Sequence, residues 1–196
     1  PAARLKSGQW PPEDALHTIY VDSVPICSII KRTTRNDYLG YTALHSGNCR
    51  EAVRLFSTPE CAGLDDELFF YNFAQALRLC GLREKSDSLI SLGLAVNPEF
   101  EPLLMYCGNI AIQENDQERA RAFYEKVLEL NPKYFGAYTE LAAIYSQTSI
   151  NKGRELLRKC LTINPAYKPA ITALADTYRE SDPEIAGKYD ELAKKY

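Results

Sequence analysis

The chain has little of what catalysis and cofactor binding use. Only two histidines occur in 196 residues, His17 and His45. Histidine is the side chain that titrates near neutral pH and the commonest metal ligand, so both chemistries lose their main carrier. His45 and Cys49 are four residues apart, but Gly47-Asn48 between them reads as a turn that breaks a shared helix face. His17 has no thiol close to it in sequence, and acids such as Asp14 and Asp22 near it do not make a site. No G-x-G-x-x-G or G-x-x-x-x-G-K stretch is present to cradle a phosphate. None of the six cysteines forms a C-x-x-C pair, and their spacings match no zinc pattern. They read as thiols outside any disulfide, in a reducing compartment, which places the chain in the cytoplasm. Asp65-Asp66-Glu67 lacks the alternating ligands and central glycine of a calcium loop. It reads as a helix N-terminus, where capping and the helix dipole favour carboxylates. No cofactor and no metal is expected.

Charge of one sign is also lacking. Lys and Arg number 23 against 26 Asp and Glu, and the balance is even along the chain. Nucleic-acid binding leaves a basic footprint, and none is seen. Lys31, Arg32 and Arg35 read as a solvated patch. The longest apolar stretches fall far short of the ~20 residues a membrane helix needs. The first residue is Pro1 rather than Met, which points to a fragment or a processed product of a longer chain.

What is present is a repeat. Asn-Pro occurs at Asn97-Pro98, Asn131-Pro132 and Asn164-Pro165, with the prolines 34 and then 33 residues apart. Each follows an apolar run of helical period, such as Tyr124-x-x-Val127-Leu128-x-Leu130. Alignment on the prolines gives units starting at Glu67, Glu101, Phe135 and Lys168. Position 4 is large: Phe70, Leu104, Tyr138, Ile171. Position 8 is small: Ala74, Gly108, Ala142, Ala175. In the second helix the small position is Ser86, Ala120 and Gly153, and the large one four residues on is Ile90, Tyr124 and Leu157. Two antiparallel helices approach closely where residues are small, and large side chains fill the gaps between them. One pair cannot bury its apolar faces alone, so pairs stack.

A degenerate unit precedes these. Leu39-Gly40, Ala43, Gly47, Ala52 and Phe56 keep the register of a unit starting at Thr33, but Pro59 stops its second helix near Ser57. Residues 57–66 then read as a loop, with Asp65 or Asp66 capping the next helix. A last helix over Pro183–Lys195 carries an apolar stripe of Ile185, Tyr189, Leu192 and Tyr196. The organisation expected is an N-terminal extension 1–32, the degenerate unit and loop 33–66, three units over 67–167, and a shortened unit with a capping helix over 168–196. In the extension, Thr18–Val21 and Val24–Ile26 fit a broken helix or an extended strand, and the sequence leaves both open.

The segment Gly108-Asn109-Ile110-Ala111, followed by Ala120 through Asn131-Pro132, resembles the tetratricopeptide repeat. The resemblance implies an all-α solenoid of antiparallel helix pairs coiled as a right-handed superhelix. It also implies a non-catalytic scaffold that binds a protein or peptide on its concave face. Positions 2, 5, 9 and 12 of such repeats line that face. Here they include Tyr41, Leu44, Tyr71, Gln75, Arg78, Met105, Asn109, Ile112, Thr139 and Ser146, with Asp37, Leu68, Ala143, Thr172, Asp176 and Arg179 beside them. Some relatives hold the C-terminal carboxylate of a chaperone with Lys, Asn and Arg. The matching positions from Glu101 are Met105, Asn109, Glu140, Pro169 and Ala173, and no register supplies the cations a carboxylate needs, which argues against that ligand. The other reading is a spacer or self-association module of a larger, membrane-anchored protein.

Overall fold

A computed structural model describes residues 19–21, 24–26 and 35–196. Two short strands, β1 (Ile19–Val21) and β2 (Val24–Ile26), pair antiparallel with Ile19 opposite Ile26 and Val21 opposite Val24. Of the two readings open for this segment, the extended one holds. Ten helices follow among the described residues, so the fold is all-α apart from this hairpin. The chain divides into two compact units, Pro1–Pro98 and Glu99–Tyr196.

The first unit holds α1 (Arg35–His45), α2 (Cys49–Phe56), α3 (Glu67–Leu79) and α4 (Arg83–Val96). Each helix packs on the next, and α1 also touches α3. The turn between α3 and α4 is tight because Gly81 takes φ +81°, which a side chain would disfavour. Helix α2 is short for the reason Pro59 gives. Its C-cap is Ser57, and the chain then turns through 57–66. Asn36 on α1 ties that loop down by donating to the Thr58 hydroxyl at 3.2 Å and to Glu60 at 2.6 Å. Cys61 and Leu64 turn inward from the loop to join Leu44, Ala52, Phe56, Phe69, Phe70 and Ala76 in the core. Asp66 caps α3 by accepting from the Phe69 N–H at 2.8 Å.

Cys49, the first residue of α2, is joined to Cys80, the C-cap of α3, with Cα atoms 5.8 Å apart. This corrects the reading of all six cysteines as thiols. Two helices that run antiparallel bring the start of one beside the end of the other, a proximity that spacing along the chain does not reveal. The correction also removes the ground on which a reducing compartment was expected. Cys61, Cys107 and Cys160 are buried outside any disulfide, as small apolar residues of the core.

The second unit holds α5 (Glu101–Gln113), α6 (Gln117–Leu130), α7 (Phe135–Thr148), α8 (Ile150–Ile163), α9 (Lys168–Tyr178) and α10 (Pro183–Lys195). Each packs on the next, and α7 also touches α9. The large and small positions interlock as the repeat requires. Tyr124, Tyr138, Leu157 and Ile171 are almost wholly buried. Gly108 lies flat under the Tyr124 ring, where even one added methyl would collide with it. In the first unit the same contact is polar: the buried Ser86 hydroxyl donates to the Ala74 carbonyl at 2.9 Å. The stripe expected on α10 is only half-buried, and Tyr196 is 58% exposed. Ala186 and Ala193 are the buried residues instead, because α10 lies close against α9 and small side chains permit that approach.

Candidate functional site

In the first unit the candidate face is carried by α1 and α3, the first helices of their pairs. Tyr41 is half-buried, its ring centroid 4.2 Å from that of His45. Tyr71 and Gln75 are half-buried on α3. Two of the residues named for this face are engaged in packing. Leu44 is 5% exposed and belongs to the core. The Arg78 guanidinium donates to Asp87 at 3.0 Å and so ties α3 to α4. Asp37 is buried as well. Loss of water, and then the nearby Asp66 carboxylate, push its pKa up to about 7.

In the second unit the first helices are α5, α7 and α9. Asn109, Ile112, Ala143, Thr172 and Asp176 are exposed along them. Met105 is nearly buried, close to Gly136 at the start of α7. Thr139 donates its hydroxyl to the Gly136 carbonyl at 2.8 Å. Ser146 turns toward α8, where it sits against Gly153. Arg179 is held between Asp176 and Asp190 at 2.8 and 3.0 Å.

Among these, Asn109 is set by a buried partner. The Tyr124 hydroxyl, rising from α6, donates to Asn109 Oδ1 at 2.7 Å. That bond fixes which end of the amide is the acceptor, and it turns the Nδ2 donors away from Tyr124. Glu140 stands near on α7. It is exposed to solvent, and partial burial of its carboxyl raises the pKa. The Tyr124 phenol is raised too, first by burial and then by the Glu140 charge. Sequence reading passed over Glu140 as a lining residue. The signal available was its place beside Asn109 in the register tested for carboxylate binding.

The second helices present a different surface. Exposed residues of α6 include Glu118, Arg119, Lys126 and Glu129, and those of α8 include Lys152, Glu155, Arg158 and Lys159. Several are paired locally, as in Arg121 with Glu118 and Arg119 with Glu114. Such exposed pairs are a solvated face and add little stability.

Helix pairs of this size, interlocked by alternating small and large residues, define a helical-repeat protein. Models of the tetratricopeptide repeat match residues 102–134 and, in an offset frame, 123–155. No curated protein matches the chain. Among solved structures the fold is similar to MamA from Desulfovibrio magneticus RS-1, at 19% identity and a TM-score of 0.63, covering 83% of this chain and 95% of that one. A MamA structure designated AMB-1 gives 19% identity and a TM-score of 0.64 over 83% of this chain and all of that one. A third, a crystal structure of MamA protein, gives 17% and 0.61 over 81% and 87%. At such identity the likeness shows the fold alone. Tetratricopeptide repeats serve generally as protein-interaction scaffolds, and that general role is supported here. Among the described residues no helix is long and apolar enough to cross a membrane.

Proposed function

We propose that the chain holds an extended peptide, or a partner domain presenting one, on the face made by the first helices of its pairs. One observation carries this reading. In the second unit, α7 has a single charged residue, Glu140, and α5 has only Glu101 at its first position, whereas α6 and α8 are densely charged. A surface that stays wet favours mixed charges, and a surface that is covered has few at its centre. Ile112, 38% exposed on α5, and the Asn109 amide offer an apolar contact and a fixed hydrogen-bond donor on that sparsely charged face.

Peptides selected by display against the whole chain test the reading. Ile112→Ser should weaken them several-fold, and Lys126→Ala on the charged face of α6 should leave them unchanged. The reverse pattern would move the site to the second helices. Self-association in place of peptide binding would favour the spacer.

A further inference from the structure

We infer that the Cys49–Cys80 link is an exchangeable lock on the degenerate helix pair, and that a small monothiol enters it at Cys80 and releases Cys49. The inference concerns the first unit and stands apart from what the first helices hold.

Three features of the structure lead there. First, the two sulfurs come from opposite helix ends. Cys49 is the first residue of α2. Cys80 is the C-cap of α3, where its N–H donates to the Ala76 and Arg78 carbonyls. A helix carries partial positive charge at its start and partial negative charge at its end, so a thiolate is favoured at Cys49 and disfavoured at Cys80. Exchange runs faster when the better thiolate leaves, so attack falls on the Cys80 sulfur. Second, the link is within reach of solvent. Both cysteines are half-buried, and Leu79, Gly81 and Leu82 around Cys80 are exposed. Cys61, Cys107 and Cys160 are buried. Third, little else holds the start of α2. The turn Ser46–Asn48 before it is exposed, and its buried residues, Ala52, Leu55 and Phe56, all follow its first turn.

The exchange needs no reactant beyond the thiol. A thiolate attacks Sγ of Cys80, a new S–S bond forms, the Cys49–Cys80 bond breaks, and its electron pair leaves on Cys49. A second thiolate attacks the mixed disulfide and releases Cys80. The small thiol ends as its own disulfide, and the protein pair has gained two electrons and two protons. In reverse, Cys49 closes the lock by expelling the small thiol from Cys80.

Opening frees the first turn of α2. Cys61 shares a core with Ala52 and Phe56, so it is the thiol that this loosening uncovers. Cys107 and Cys160 belong to the second unit and stay covered.

The test uses the full chain carrying Cys27→Ser, so that this further cysteine cannot exchange with the pair. The folded protein is treated with reduced glutathione, quenched in acid and mapped by mass spectrometry. Glutathione should be found on Cys80 several-fold more often than on Cys49. Iodoacetamide should then label Cys61 several-fold faster in the reduced chain than in the linked one, with Cys107 and Cys160 unchanged. Labelling of Cys49 in Cys80→Ser should set in at lower pH than labelling of Cys80 in Cys49→Ser. The glutathione map needs neither of these variants, so one that fails to fold leaves the test standing. Glutathione mainly on Cys49, or a link that resists thiol until urea unfolds the chain, would overturn the inference. So would equal protection of Cys61 in both states. Labelling of Cys107 and Cys160 in step with Cys61 would overturn it too, since the opening would then be global.

Discussion

Asp37 shows how a single side chain tunes this scaffold. Its carboxyl is buried on α1 near Asp66, and its pKa stands at about 7 instead of 3.8. In the unfolded chain the group ionises near its ordinary value. Below that pH both states are protonated and Asp37 contributes nothing. As pH rises toward 7 the unfolded state loses its proton first, so the folded state is progressively disfavoured. The full effect is reached above pH 7 and is bounded at about 4 kcal/mol, the equivalent of the shift. The urea midpoint of the first unit should therefore be higher at pH 5 than at pH 8. Asp37→Asn should remove most of that difference by stabilising the protein at pH 8. An unchanged pH dependence in the variant would refute this account. The sequence placed Asp37 on the binding face, since position within a repeat says which way a residue points and not how much protein closes over it. The same limit applies to Leu44, Arg78 and Ser146. By contrast Gly108, Ala142 and Tyr124 were legible, because small and large residues recur at fixed spacing only where two helices touch.

At the scale of the element, punctuation was readable and pairing was not. Pro59 ends α2, Asp66 opens α3 and Pro183 starts α10, each by local chemistry. Whether residues 18–26 were helix or strand could not be settled by β-branched residues interrupted by proline. The Cys49–Cys80 link was hidden for another reason: 31 residues separate its ends, and only the packing of α2 on α3 makes them neighbours. It joins the degenerate pair, whose second helix is the shortest of the ten described, to the regular pair that follows. Closing a loop of that length stabilises by roughly 3–4 kcal/mol in the chain-entropy picture. Reductant, or Cys80→Ser, should lower the urea midpoint of the first unit accordingly and leave that of the second unit in place. Equal midpoints with and without reductant would show that the link adds no stability.

For the whole molecule, fold and role stand on different ground. Repeat spacing made the helix pairs legible across 67–178, since a period of about 34 residues is a property of the chain itself. The proposed face was legible only in outline: Asn109 and Ile112 were named for it, but the hydrogen bond that orients Asn109 comes from Tyr124 on another helix. In stacked repeats each pair contacts only its neighbours, so a bound segment should leave its mark on the helices it touches and little elsewhere. Amide hydrogen exchange of the full chain, with and without a display-selected peptide, tests this most directly. The account predicts slowed exchange in α5, α7 and α9 of the second unit, centred near Asn109 and Ile112, with α6 and α8 unchanged on their charged faces. Protection concentrated in α6 and α8, with α5 and α7 unaffected, would contradict it.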